Sequence, residues 1–425
     1  MKIIIINHTF QKEQFCKRWR DLAKQHKDWE ITLLAPSEWT WGSGKAVTFG
    51  KEEKKQGFEY LSENYQVKQI DIKNHKFISW TSVSMINIIR DINPDCIYHI
   101  GSHTQESLMQ ILDYKRKENS KVKIFAFSMR GPQQNLDNIK NLRKEDSNYI
   151  KKCFRSFQYL YEKYKVKKLN KFCDAIFCHY PDGMECFRNE GFKKPIFMQT
   201  QVGVDTQIFY PDKMKREKIR ARYNISDDTY LFASAVRFNP SKGIMEILEA
   251  LPLNGKWKYL LMGSGLPQEI EVVKKKIQEK GLEGKVILTG FIDWEYMSEY
   301  WNAADCAIHF TQTTTSWVET FSLSLVQAMA TGLPVIGSDS GSVPYQIGPD
   351  GIVINEKNIK ELNKKICWIM NNPSKGKLIG EKLYKRTIKS FSTEHLNNLF
   401  YVTVMDLLKD KYVENQIDMA NTSIE

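Results

Sequence analysis

Short apolar runs alternate with helix-spaced stretches along almost the whole chain, and this alternation restricts the fold more than any other feature. The first half offers KIIIIN, EITLLAP, DCIYHIG, KIFAFS, AIFCHY and PIFMQTQV, and the second offers YLFASAVR, WKYLLMG, KVILTGF, CAIHF, PVIGSD and GIVI. Helical patterns such as 266–280 and 294–303 lie between them. Repeated β-α alternation predicts α/β architecture, with parallel sheets covered on both faces. Twelve strands are too many for one comfortable open sheet, and 425 residues have room for two full cores. Two doubly wound domains are expected.

The boundary falls near QVGVDTQIFYPDKMKREK, where a strand gives way to Gly203, Pro211 and a run of charge. The closing helical stretch FSTEHLNNLFYVTVMDLLKD has no strand after it and can cap either domain. The composition, 42% hydrophobic and 26% charged, is that of a globular chain and excludes a fibrous or disordered one. No apolar run approaches the length of a membrane span, and MKIIIINHTF reads as a first buried strand rather than a secretory leader. The eight cysteines show no CxxC pair and no zinc spacing, which fits reduced thiols in a cytoplasmic protein. A net charge of +12 favours anionic partners without naming one.

Between KIFAFS and AIFCHY the pattern changes. Residues 138–172 read as a basic, aromatic insertion with eleven Lys and Arg against three acids, interleaved with Tyr149, Phe154, Phe157, Tyr159, Tyr161 and Tyr164. Such a helix suits an anionic membrane surface or phosphates; the alternative is a solvated helix whose aromatics pack on the domain.

The chemistry-bearing residues cluster after strands of the second half. ASAVRFNPSKG places Arg237 at a strand end and Lys242 ahead of a helix, where open α/β sheets bind ligands. Arg237 can grip a phosphate bidentately, and Lys242 adds a mobile charge. Gly263 and Gly265 follow the next strand, and Gly290 ends the one after that. In VETFSLSLVQAMATGLPVIGSDSG, Glu319 precedes a helix expected to open at Thr320, Phe321, Ser322 and Leu323, whose amides can cradle a diphosphate. Glu319 would then accept bonds from sugar hydroxyls, and Gln327 would reach a ribose edge. A nucleotide sugar matches this layout.

Taken in order, VRFNPSKG, MGSG, LTGF, WNAADCAIHF, ETFSLSLVQAMATGLPVIGSDSGSVP and GVDTQIFYP resemble the donor domain of family-four retaining glycosyltransferases, over roughly residues 195–390. The resemblance implies a GT-B fold: two Rossmann-like domains facing a cleft, an acceptor-side domain at 1–203 completed by a C-terminal helix in 391–425, and a donor-binding domain at 204–390. It implies transfer of a sugar from a nucleotide-diphosphate donor to a glycan, lipid-linked or other hydroxyl acceptor with retention. The catalytic set would be Glu319, Arg237, Lys242 and Arg130, with protein cations and helix dipoles serving in place of a metal or other cofactor. No nucleic-acid partner is implied.

Three departures stand out. Gln327 replaces the second glutamate of the family's pair, Ser322 and Ser324 replace glycines, and INHTFQKEQ lacks the glycine-rich loop after the first strand. Arg130 in FAFSMRGPQQ stands where a His-Gly pair is common, and His99 and His103 are the acceptor-side candidates. Gln327 and the missing loop support a rival reading, a non-catalytic subunit that binds nucleotide or stabilises a partner enzyme. A nucleotide-sugar epimerase or a sugar phosphorylase is a third.

Overall fold

The computed structural model describes residues 1–425 apart from 12, 41–45, 49–60, 74–79, 130–135, 137–138, 142–148, 316 and 410–425. Its residues divide into two compact units, Met1–Gln201 with Asn397–Glu425, and Val202–Leu396.

In the first unit the strands are β1 (Lys2–Ile6), β2 (Glu30–Pro36), β3 (Glu38–Thr40), β4 (Ala46–Thr48), β5 (Leu61–Ser62), β6 (Tyr65–Ile70), β7 (Cys96–Ile100), β8 (Lys123–Ser128), β9 (Ala175–Cys178) and β10 (Ile196–Met198). Eight of them form a sheet in the order β10-β9-β8-β7-β1-β2-β6-β5, parallel except for the short β5 edge. β3 and β4 form a separate antiparallel ribbon. The run of isoleucines in β1 explains why this strand is central. Side chains alternate across a strand, so Ile3 and Ile5 enter one core with Trp19, Trp29, Tyr98 and Phe177, while Ile4 and Ile6 enter another with Ile89, Ile97 and Leu112.

Strand β6 escapes the sequence reading. Its YQVKQI has little apolar content and only its two ends are buried, because it lies near the sheet margin. It pairs with β2, and Gln66 Nε2 donates to Thr32 Oγ1 at 2.9 Å.

The helix Tyr149–Phe172 is the crossover connecting the adjacent parallel strands β8 and β9. It lies in the crossover of the βαβ winding. Two of its lysines belong to the fold: Lys165 Nζ lies 2.8 Å from Glu106, and Lys168 Nζ lies 2.7 Å from Asp113, both with side chains under 10% exposed. Arg143, Lys144, Glu145 and Asp146 lie outside the described residues.

The final helix, Thr393–Leu408, returns to the first unit. Phe400 stands 5.2 Å from the Trp19 ring and 5.0 Å from the Tyr98 ring, and Val404 and Leu407 join the same core. Arg18 Nε donates to Asn397 Oδ1 at 2.9 Å.

The second unit contains β11 (Tyr230–Ala235), β12 (Trp257–Met262), β13 (Val286–Gly290), β14 (Cys306–His309), β15 (Val335–Ser338) and β16 (Ile352–Ile354). All six are parallel, in the order β13-β12-β11-β14-β15-β16. Chain direction across the sheet reverses between β11 and β14, and the loops following those two strands flank the switch point where ligands bind in open sheets.

Candidate functional site

The loop after β11 is held by its own polar groups. Phe238 N–H donates to the Ser264 carbonyl at 2.9 Å, tying it to the loop after β12. Asn239 Oδ1 accepts from Ser241 N–H at 3.1 Å and caps the short turn Pro240–Lys242. Gly243 follows with φ +67°, and a Cβ there would stand 1.8 Å from the Phe310 carbonyl oxygen. Only glycine permits this approach. The approach sets Lys242 beside the end of β14.

Lys242 Nζ donates to Glu319 Oε2 at 2.7 Å and lies 4.2 Å from the Trp317 ring centroid, a cation–π distance. Glu319 is 6% exposed, and His309 Nε2, at the end of β14, lies 3.7 Å from the same carboxylate oxygen. From behind, Ser342 N–H donates to the Glu319 carbonyl at 2.8 Å. Gly341, at φ +52°, leaves room for this: a Cβ there would sit 2.1 Å from that carbonyl oxygen. Burial pushes the Glu319 carboxyl up, but His309 and Lys242 outweigh it and hold the group below the ordinary carboxylate range. An ionised carboxylate is an acceptor only, suited to hydroxyl groups. Glu319 is thus in the loop before the helix but enclosed, not on an open helix entrance.

The helix itself spans Leu323–Ala330 and begins later than the sequence suggests. Ser322 is its N-cap, with Oγ accepting from Leu325 N–H at 3.3 Å, so Thr320 and Phe321 belong to the loop. The Ser322 N–H donates to Gln346 Oε1 at 2.8 Å, which withdraws it from the expected amide cradle. Gln327 is buried on this helix.

Arg237 takes a different position. It is exposed and lines a pocket of about 280 Å³ with Gly263, Ser264, Phe291 and Ile292. Gly263 N–H donates to the Gly290 carbonyl at 2.9 Å, joining the ends of β12 and β13, and Gly265 bridges to Phe238. Phe291 presents an exposed ring at the pocket rim. The second unit therefore gathers Lys242 with Glu319, and Arg237 with Gly263 and Gly290.

In the first unit, His99 is fully buried, and its Nε2 pairs with Ser107 Oγ at 2.8 Å. Burial, reinforced by His8, lowers its pKa to about 3, so it is neutral at physiological pH. His103 is buried, with Nδ1 3.2 Å from Ser128 Oγ and its ring edge-on to Phe187. Arg130 lies outside the described residues.

Sequence reasoning missed His309 and Trp317. His309 closes the strand of CAIHF, and the argument that singles out Arg237 at a strand's carboxyl end applies equally to it. Trp317 carries no comparable signal, because its contact with Lys242 depends on how the loop folds back.

Residues 215–389 match the family described as Glycosyl transferases group 1. The Poly(glycerol-phosphate) alpha-glucosyltransferase of Bacillus subtilis is 24% identical over 301 residues, which are 68% of this chain and 42% of that protein. The chain thus spans less than half the length of that relative. Among solved structures, sucrose-phosphate synthase from Thermosynechococcus elongatus superposes with a TM-score of 0.68 at 17% identity, covering 96% of this chain and 100% of the other. The Anabaena HepE protein in complex with UDP-glucose gives 0.67 at 16% identity, with coverage of 96% and 100%. The fold is GT-B, and together with the family match these likenesses support a GT-B glycosyltransferase.

Proposed function

We propose that the chain is a retaining, metal-independent glycosyltransferase of family four that moves a hexose from a nucleotide-diphosphate donor to a hydroxyl acceptor on a glycan or lipid-linked saccharide. The observation that carries this reading is the pairing of half-buried Lys242 with buried Glu319 beside the sheet's switch point, with Arg237 on the neighbouring loop. A buried carboxylate with a fixed cation can accept sugar hydroxyls, and two cations can neutralise a departing diphosphate. Arg237, Gly263, Gly265 and Gly290 would line the nucleotide side, with the exposed Phe291 ring available to a base. Thr320, Phe321, Leu323 and Gln327 would complete the donor contacts. Arg130, His99 and His103 would serve the acceptor side in the first unit. Support for a hexose donor comes from the UDP-glucose held by the Anabaena neighbour and the glucosyl transfer named for the Bacillus relative.

In this mechanism Arg237 and Lys242 hold the diphosphate as its bond to the sugar breaks. Glu319 positions the sugar through its hydroxyls, and the acceptor attacks on the face that the leaving group vacates. The charge developing on the departing phosphate is met by protein cations.

Nucleotide release from a panel of nucleotide sugars, with a saccharide acceptor and with chelator present, tests the reading. Release with one donor, lost in Glu319→Gln and indifferent to chelator, is expected. Binding without turnover of any donor would favour the non-catalytic subunit, and a strict magnesium requirement would refute the metal-free mechanism.

A further inference from the structure

The crossover helix Tyr149–Phe172 has two halves in different surroundings. Its C-terminal half is part of the fold: Val166 and Leu169 are buried, Lys165 and Lys168 are paired to Glu106 and Asp113, and Tyr161 Oη donates to Glu106 at 2.8 Å. Its N-terminal half carries large apolar side chains into solvent. Ile150 is 78% exposed, Phe154 69%, Phe157 70% and Leu160 63%.

These exposed residues are not scattered. Positions 150, 154, 157, 161 and 164 recur at intervals of three and four, so their side chains share one face over four turns. Phe157 and Tyr161 stack with ring planes 9° apart, which makes the stripe continuous. Single exposed apolar residues need no explanation, but a contiguous stripe marks a surface that is covered in use.

Charge identifies the cover. Helix 149–172 holds eight Lys and Arg against Glu162 alone. With Lys165 and Lys168 committed to the fold, Lys151, Lys152, Lys163, Lys167 and Lys171 remain exposed. A second copy pairing through the same stripe would bring these cations together with almost no acid to offset them. A soluble polyanion would satisfy the cations and leave the aromatic stripe in water. Only a surface that is both anionic and apolar just beneath answers both features. No helix among the described residues is long and apolar enough to cross a membrane.

We propose that the N-terminal half of this helix docks on an anionic bilayer, with Ile150, Phe154 and Phe157 entering the acyl boundary and the exposed lysines lying among lipid phosphates. The helix is fixed to its own unit by Lys165, Lys168 and Tyr161, so docking would anchor that unit at the surface. The proposal is independent of the donor site, whose residues lie on the other unit.

Co-sedimentation of the full chain with phosphatidylcholine vesicles, and with vesicles also containing phosphatidylglycerol, tests it. Binding should be at least about tenfold stronger on the anionic vesicles, weakened by salt but not abolished. Lys151→Glu, Lys152→Glu, Lys163→Glu and Lys167→Glu together should remove the dependence on lipid charge. Phe154→Ser with Phe157→Ser should remove the salt-resistant part. Both variants should keep the parent Tm, because every altered residue is exposed and Lys165 and Lys168 are untouched. Equal binding to both vesicles would overturn the proposal. So would binding to a soluble polyphosphate that matches vesicle binding and survives the serine changes, or a concentration-dependent dimer that those changes dissolve.

Discussion

Replacing Glu319 by Gln should move donor binding and transfer in opposite directions. Lys242 Nζ is 2.7 Å from a carboxylate that is only 6% exposed. A diphosphate held by Lys242 would have to draw it away from that partner. A hydrogen bond to a charged group contributes about 1.5–3 kcal/mol, and one to a neutral amide about 0.5–1.5 kcal/mol. The substitution therefore lowers the competition by roughly 1–1.5 kcal/mol, which is about a tenfold tighter Kd for a nucleoside diphosphate. The same change replaces an acceptor-only carboxylate with an amide where the sugar hydroxyls would sit, and transfer should fall by about 2–3 kcal/mol of transition-state stabilisation. Titration calorimetry with UDP and GDP, beside nucleotide release from the active donor, reads both quantities on one preparation. A parallel loss of diphosphate affinity and turnover would refute the competition between carboxylate and phosphate. Full activity would remove Glu319 from the site.

Changing Arg237 to Ala should weaken nucleoside-diphosphate binding by about 1.5–3 kcal/mol, and changing Lys242 to Ala by less because its contact replaces one with Glu319, both sparing the bare nucleoside; equal losses for nucleoside and nucleotide in calorimetry would contradict a phosphate role. Gly341→Ala should cost about 1–3 kcal/mol in urea unfolding and reduce transfer, because the new Cβ meets the Glu319 carbonyl oxygen at 2.1 Å and strains a φ of +52°; an unchanged midpoint would mean that the loop yields freely. His309→Leu removes one of the groups holding the Glu319 carboxyl below its ordinary range. A depressed carboxyl adds stability above its unfolded pKa, about 4.3, and loses it as pH falls through the lower folded value, so the stability gap between parent and variant should be widest near neutrality and close below about pH 4. A gap constant from pH 7 to pH 3 would assign the loss to packing alone.

The architecture was legible because buried parallel strands write themselves as apolar runs. All twelve runs read from the sequence correspond to strands β1, β2 and β7–β16. What was not legible follows from the same physics. Strand β6 has Gln66, Lys68 and Gln69 in a position that is only partly covered, so its composition carries no burial signal. The basic stretch 138–172 departs in composition from its neighbours, and that departure carries no sign of where its helix 149–172 lies. Its place is set instead by β8 and β9 being adjacent and parallel, which demands a crossover helix there whatever its surface residues are. Lys165 and Lys168 are indistinguishable from the other lysines in sequence, and only the acids of an earlier helix, Glu106 and Asp113, separate them.

For the site, spacing indicates which loops meet at the sheet edge but not which charges are already satisfied there. Arg237 and Lys242 stand five residues apart and read as equivalent cations, yet one is exposed on the Phe291 pocket and the other is tied to Glu319. The difference originates in Gly243, whose positive φ and missing Cβ let the turn close on Phe310 and carry Lys242 to the end of β14. Trp317 then covers the ammonium and His309 approaches the carboxylate from the strand. An ion pair with one member buried and the other half-buried is a poor source of stability, since desolvation of the carboxylate offsets much of the attraction. Its persistence is easier to understand as a poised arrangement. An incoming diphosphate would take over Lys242, and the carboxylate it leaves, still facing His309, would be free to accept a sugar hydroxyl. On this argument the resting pair and the loaded site are alternatives drawn from the same two side chains. The affinity for a nucleoside diphosphate should therefore depend on residue 319 even though a carboxylate has nothing to offer a phosphate.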